Sequence, residues 1–307
     1  MKKIASFLFL PLIISFKTFA CEICGCGVGN FYMGIMPQFN RHFVGIRYRQ
    51  MSYDSHLGVG GTKSYLTTRE VFQTAELWAR FYPTQRILVM AFLPYHANQQ
   101  TDYNQTFTKN LSGLGEGMLT VNYRLLDNIA DTSLRNFRHN LLIGGGVKLP
   151  TARFRFDAAD NQQVANPNFQ LGSGSTDVLT NLVYVLRRGK WGLSADLNFK
   201  YNTANTDDYR FGHRINGQVA LFYMRSVRGV WLMPYSGVFG EYSGQDSNAG
   251  ISISNTGGGT TFAVGGLELY IGRISIGGSF QQPLSQNLAN GTIRTYGRSV
   301  IHLTFMI

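Results

Sequence analysis

Cys21, Cys24 and Cys26 are the only cysteines of the 307-residue chain, and all three lie in Cys-Glu-Ile-Cys-Gly-Cys-Gly. Thiolates are soft ligands, so a cluster this dense suits Cu(I) or Zn, and the glycines let backbone wrap a small ion. Three thiolates satisfy a trigonal Cu(I) site. Zinc would need a fourth ligand, from Glu22, the α-amine or His42. In an oxidising compartment a simpler fate competes, in which two cysteines form a local disulfide and the third stays free or pairs elsewhere. Lipidation of Cys21 is a third reading, because the residue follows Ala20 at a cleavage point, although Thr18 and Phe19 depart from the usual Leu-Ala/Ser-Gly/Ala-Cys pattern. An acyl chain there would anchor the N-terminus in a membrane.

The other residues able to act on a solute recur at alternate positions. Arg47, Arg49, Glu76, Arg80, Arg124, Lys148, Asp196, Lys200, Arg214 and His302 fall on the polar phase of alternating segments, with Asn122, Asp177, Asn181, Asn198 and Glu268 among their companions. If those phases line one lumen, basic groups outnumber acidic ones and an open pore favours anions. The competing expectation is a narrow lumen held shut by ion pairs, with Glu76 on Arg80 or Arg47 and Asp196 on Lys200. Enzymatic chemistry finds no support: of His42, His56, His96, His139, His213 and His302, none has a neighbouring nucleophile and carboxylate in a recognisable pattern. The Gly-Leu-Gly and Gly-Gly-Gly runs precede no helix, so they are not phosphate loops and instead relieve crowding where strands bend.

Strands must position these residues. The chain is 44% hydrophobic and 13% aromatic with 35 glycines, yet only 15% charged, against roughly 25% for soluble domains. A mean hydropathy of -0.08 excludes a bundle of membrane helices, each of which needs about 20 apolar residues in a row. The one long apolar run, Ile4 to Phe16 behind Lys2 and Lys3, reads with Thr18-Phe19-Ala20 as a secretory signal peptide over residues 1–20. Its removal lowers the formal net charge from +11 to +8. Export argues against nucleic acid and for anionic solutes or lipopolysaccharide phosphates as the partners of that charge.

Period-two alternation predicts twelve strands, near 42–53, 69–82, 86–97, 115–126, 139–149, 175–187, 190–203, 209–225, 230–243, 260–271, 273–282 and 294–307. Leu193, Ala195, Leu197, Phe199 and Tyr201 against Gly192, Ser194, Asp196, Asn198 and Lys200 show the pattern. Short turns at 83–86, 188–190, 227–229 and 272 alternate with loops at 54–68, 98–114, 150–174, 204–208, 244–259 and 283–293. An even strand number with this alternation predicts an all-β, closed antiparallel up-and-down transmembrane barrel over 41–307, its short turns in the periplasm. Tyr53, Phe81, Tyr82, Tyr123, Tyr184, Trp191, Tyr201, Tyr223, Trp231 and Tyr242 fall where interfacial girdles belong. A periplasmic β-sandwich also alternates, but rarely uses twelve such long strands. Residues 21–40 form a separate cysteine-bearing segment. Within it, 27–39 are apolar and out of phase, which suits a lumen plug, a first half-strand or a periplasmic linker, with Pro37 marking a break.

Three stretches, Ser112-Gly-Leu-Gly-Glu-Gly-Met-Leu-Thr-Val-Asn-Tyr-Arg-Leu125, Gly146-Val-Lys-Leu-Pro-Thr-Ala-Arg-Phe154 and Phe169-Gln-Leu-Gly-Ser-Gly-Ser-Thr-Asp-Val-Leu179, resemble the outer-membrane β-barrel transporter family named for the meta-pathway of phenol degradation. The resemblance extends over about residues 40–307 and implies a barrel that admits small, often poorly soluble molecules. It brings no catalytic residues, and the cysteine-rich start departs from it.

The resulting expectation is an integral outer-membrane channel passing a small solute down its gradient, in contact with membrane lipids and lipopolysaccharide and inserted by the barrel-assembly machinery. Phe305 in phase with Ile307 suits that last partner. A closed barrel serving as a non-transporting scaffold or adhesion protein, through the loops at 150–174 and 244–259, is the alternative. For the cysteine cluster, replacing all three residues by serine is expected to abolish Cu(I) uptake by the mature protein in equilibrium dialysis; unchanged uptake removes the metal reading.

Overall fold

The computed structural model describes residues 41–127, 137–152, 154 and 167–307. The signal peptide, the three cysteines and the 27–39 segment lie outside the described residues.

Twelve strands form the wall: β1 (Phe43–Ser55), β2 (Thr68–Phe81), β3 (Ile87–Asp102), β4 in two pieces (Thr108–Leu114 and Met118–Asp127), β5 (Arg138–Lys148), β6 (Asp177–Arg188), β7 (Trp191–Tyr201), β8 (Arg214–Tyr223), β9 (Val230–Ser243), β10 (Gly258–Ile271), β11 (Ile274–Leu288) and β12 (Arg298–Met306). Each pairs antiparallel with its neighbours in sequence, and the last pairs with the first, from Phe43↔Met306 to Gln50↔Ser299. The sheet is therefore a closed barrel.

Alternation places one phase outward. Ile46, Leu77, Leu119, Val121, Leu182, Leu221, Leu267 and Leu303 are all exposed on the wall, an apolar belt that water would not tolerate and hydrocarbon does. Trp191 and Tyr223, 4.9 Å apart between ring centroids, lie with Phe81, Tyr123 and Trp231 at the periplasmic rim. Tyr53 does not join a girdle: it is buried inside, on Phe72 and the Arg298 guanidinium. The protein is a closed β-barrel whose outer wall suits a lipid bilayer.

Four sequence expectations about strands are corrected. The 98–114 stretch is no loop, because β3 continues to Asp102 and pairs with Thr108–Leu114. The strand predicted from 209 starts at Arg214, whereas Tyr209–Arg210 joins Ser247–Asn248 and Ile251–Ser252 in a small extracellular sheet. β11 runs on to Leu288, and β12 starts only at Arg298. In each case hydrophobic alternation fades where the wall leaves the lipid, while the backbone ladder is free to continue or to stop.

β4 is broken in the middle. Its outer piece pairs with Tyr95–Thr101 and its inner piece with Ile87–Phe92. Gly115 to Gly117 turn out of the ladder between them, opposite Pro94, which has no N–H to offer. The turn is tied by Gly115 N–H to the Pro94 carbonyl at 2.8 Å and by the Thr151 hydroxyl, which donates to the Gly115 carbonyl at 2.9 Å. That break turns Glu116 inward.

Two glycines let the lumen side chains of alternate strands meet. Gly277 of β11 lies between Glu268 of β10 and His302 of β12, whose side chains join over it at 3.0 Å. Gly144 of β5 does the same for the Asn122–Asn181 hydrogen bond between β4 and β6. A Cβ at either position would strike the bridging atoms. Gly277→Val is thus expected to destabilise the barrel by about 1–3 kcal/mol through overpacking, seen as a lower temperature for loss of the compact band on SDS gels. Val at Gly278, which faces outward with nearby contacts at ordinary distance, should leave that temperature unchanged.

Candidate functional site

The lumen is filled by side chains in three levels. At the extracellular level, Lys148 ends β5 with no exposed surface and forms ion pairs with Glu116 and, at 3.0 Å, Asp177. Lys200 of β7 lies 3.8 Å from the same Asp177, and Arg214 stands opposite it in register. Glu116 also accepts from the Ser173 hydroxyl at 3.1 Å and the Gly174 N–H at 2.9 Å. Asp177 accepts from the Ser175 hydroxyl at 2.8 Å and the Thr203 N–H at 3.1 Å. A buried charge left without such partners would cost several kcal/mol.

This cluster draws the chain before β6 into the lumen. Asn168, Phe169 and Ser173 are buried, and Phe169 packs with Met51, Tyr53 and Phe72 of the opposite wall and with Leu288 and Ile293. Its ring lies 6.0 Å from that of Phe72. The end of the 150–174 loop, expected to project outward, therefore folds inward across the upper lumen. Outside the membrane, the Asp246 carboxylate braces the small extracellular sheet by accepting from Gly212 N–H at 2.7 Å and Tyr209 O–H at 2.8 Å. Burial pushes that carboxyl above the usual range.

At the middle level, Arg47 pairs with Glu76 and lies over Trp78, its guanidinium carbon 5.0 Å from the ring centroid. Arg298 forks onto Glu241 and donates to Tyr53 O–H at 2.9 Å. Arg49 is buried nearby, and His96 exchanges a hydrogen bond with Thr74 at 3.0 Å. Of the expected ion pairs, Glu76 with Arg47 forms. Asp196 with Lys200 does not, because Asp196 accepts instead from Asn198 at 2.9 Å while Lys200 points up toward Asp177.

The periplasmic level is apolar inside as well as outside. Phe43, Trp78, Leu88, Met90, Phe92, Phe222, Met224, Met233, Tyr270 and Met306 are buried in one cluster. Arg80 and Arg124 close it, their guanidinium carbons 5.5 Å and 5.3 Å from the Tyr82 ring centroid.

All ten nominated lumen residues face inward, since each lies on a buried position of its strand or has a buried side chain. They do not form one site: Lys148, Lys200 and Arg214 belong to the upper cluster, Arg47, Arg49 and Glu76 to the middle, and Arg80 and Arg124 to the periplasmic mouth. Sequence reasoning missed Glu116 and Phe169, and it missed the apolar lower lumen. Ile87 to Leu93, apolar in both phases, carried the signal for that last feature, because a strand buried on both faces reads as a continuous run.

Glu116, Lys148 and Ser173 to Asp177 come one each from the stretches 112–125, 146–154 and 169–179. No family model matches the sequence, and no curated protein matches it either. Among solved structures, an outer membrane channel from Pseudomonas putida F1 is similar, with a TM-score of 0.65 at 14% identity over 89% of this chain and 100% of that one. The β domain of the Bordetella autotransporter BrkA is also similar, with a TM-score of 0.53 at 10% identity over 87% of this chain and 100% of that one. These likenesses show the barrel fold.

Glu116→Ala removes the acceptor of the Ser173 hydroxyl and Gly174 N–H and the counter-charge of Lys148. It is expected to free the 168–176 chain from the lumen, read as faster hydrogen exchange at Gly174 with the Val183 amide of the wall unchanged. Exchange at Gly174 as slow as in the parent protein would show that the cluster does not hold the segment.

Proposed function

We propose that the protein is a gated passive channel for a small solute, closed in the described state by the 168–176 chain. The observation that carries this reading is the inward fold of that chain onto a buried ionic cluster, inside a wall complete without it. A barrel stabilised only as a scaffold has no need to hold an external loop in its lumen by three buried charges.

Two further observations support the reading. The P. putida neighbour is itself described as an outer membrane channel, and the convergence of the three family-like stretches on the cluster favours a transporter of the meta-pathway type. The apolar lower lumen suits a poorly soluble solute, whose desolvation cost there is small. No energy-coupling motif is visible in the sequence, so movement follows the gradient. Lipopolysaccharide around the wall and the barrel-assembly machinery at insertion remain the partners proposed for this location.

Single-channel recording in a planar bilayer tests the proposal. The purified mature protein is expected to give brief, infrequent openings, and Phe169→Ala, which removes the ring wedged on Phe72, should make them longer and more frequent. A correctly folded Phe169→Ala protein that stays as silent as the parent would overturn the gated-channel reading in favour of a scaffold.

A further inference from the structure

The charges of this barrel are sorted by height. In the lumen most carboxylates of the ionic levels have a basic partner: Glu76 has Arg47, Glu241 has Arg298, Glu116 and Asp177 share Lys148, and Glu268 has His302; Asp196 takes a neutral one, Asn198. The periplasmic end is different. Every turn there carries a cation, with Arg86, Arg138, Arg188, Arg228 and Arg273 as its members, and Asp127 is the only carboxylate among the described residues of these turns.

Part of this excess points inward. Arg138 and Arg187 share the lumen face and stand directly opposite each other in register, a placement in which like charges repel. The Arg124 side chain is 8% exposed; its Nη1 donates to Asp127 at 2.7 Å, while its Nε and Nη2 are buried with no hydrogen-bond partner, as is Nε of Arg187. Unmet buried donors are unfavourable, and they leave the positive charge of this end without compensation from the chain beyond Asp127. Arg124 and its partner Asp127 line a cavity of about 1070 Å³ that opens on the periplasm, together with His42, Tyr82, Arg86 and His139. Behind Tyr82 the apolar level begins, with Arg80 lying over Phe43 at 4.6 Å.

We propose that this vestibule binds the carboxylate of a small organic acid, with the acid's apolar body directed toward the Phe43–Leu88–Met90 level. The Arg124 guanidinium places positive charge at the vestibule wall, Arg86 adds a second cation at the rim, and the apolar level takes the hydrocarbon. The assignment rests on the channel reading for its meaning, because it names the solute class that the channel would pass, but the binding itself does not require conduction.

Isothermal titration of the detergent-solubilised mature protein with hexanoate, hexanol and inorganic phosphate tests the assignment. Saturable hexanoate binding is expected, about tenfold weaker in Arg124→Gln, the loss that one charged hydrogen-bonded contact predicts. Arg86→Gln, on an exposed turn that tolerates substitution, should also weaken it, while Arg228→Gln on a distant turn should leave it unchanged. Absence of saturable hexanoate binding, equal binding in Arg124→Gln and Arg86→Gln, or hexanol or phosphate binding as tightly as hexanoate would each overturn the assignment. Conductance recorded on the same preparation separates the two ideas. Hexanoate binding together with a silent, correctly folded Phe169→Ala protein keeps the site and overturns the channel reading, and conductance without hexanoate binding overturns the site alone.

Discussion

A peptide group in hydrocarbon has no hydrogen-bond partner except another peptide group, and this requirement shapes everything else in the molecule. It forces β1 to find β12 and so closes the sheet. Closure assigns each strand one face to lipid and one to a lumen. With twelve strands the lumen is narrow enough for one inward-folded segment to pack on the wall across it, as Phe169 does on Phe72.

A narrow, side-chain-filled lumen is a poor solvent for charge. Each ionisable group there is stable only against a partner, and the strands satisfy this by reaching across glycines, as Glu268 and His302 do over Gly277, or by breaking, as β4 does to present Glu116. The consequence is a polar but internally compensated upper lumen. Excess positive charge is tolerated only where bulk water screens it, at the periplasmic turns. Of the two sequence expectations, an anion-favouring pore and a narrow lumen held by ion pairs, the pairs of the upper and middle lumen fit the second, and the excess positive charge lies at the mouth. The apolar level above that mouth then decides what kind of anion would profit from it.

The closed upper lumen follows from the same pairing rule. Lys148 cannot be buried without Glu116 and Asp177, and the oxygens of those two carboxylates take hydrogen bonds from Ser173, Gly174 and Ser175. The segment that supplies them is thereby fixed inside the barrel. Electrostatic compensation and occlusion are one structural event.

The strand number, the alternation of short turns with longer loops and the inward phase of Arg47, Glu76 and Lys148 are all local properties, written in an alternation of period two that no helix buries on one face. The sequence by itself determined those. It did not determine strand ends outside the lipid, such as Asp102 or Arg214, because polarity stops alternating there while the ladder does not. Nor did it determine partners. Lys200 lies four residues from Asp196 in its own strand yet turns to Asp177 of the adjacent one, and Phe169 reaches Phe72 of the wall, nearly a hundred residues before it. Only the closed tertiary structure decided these contacts, because curvature sets which side chains of different strands share a level, and that distance is not encoded in any local spacing.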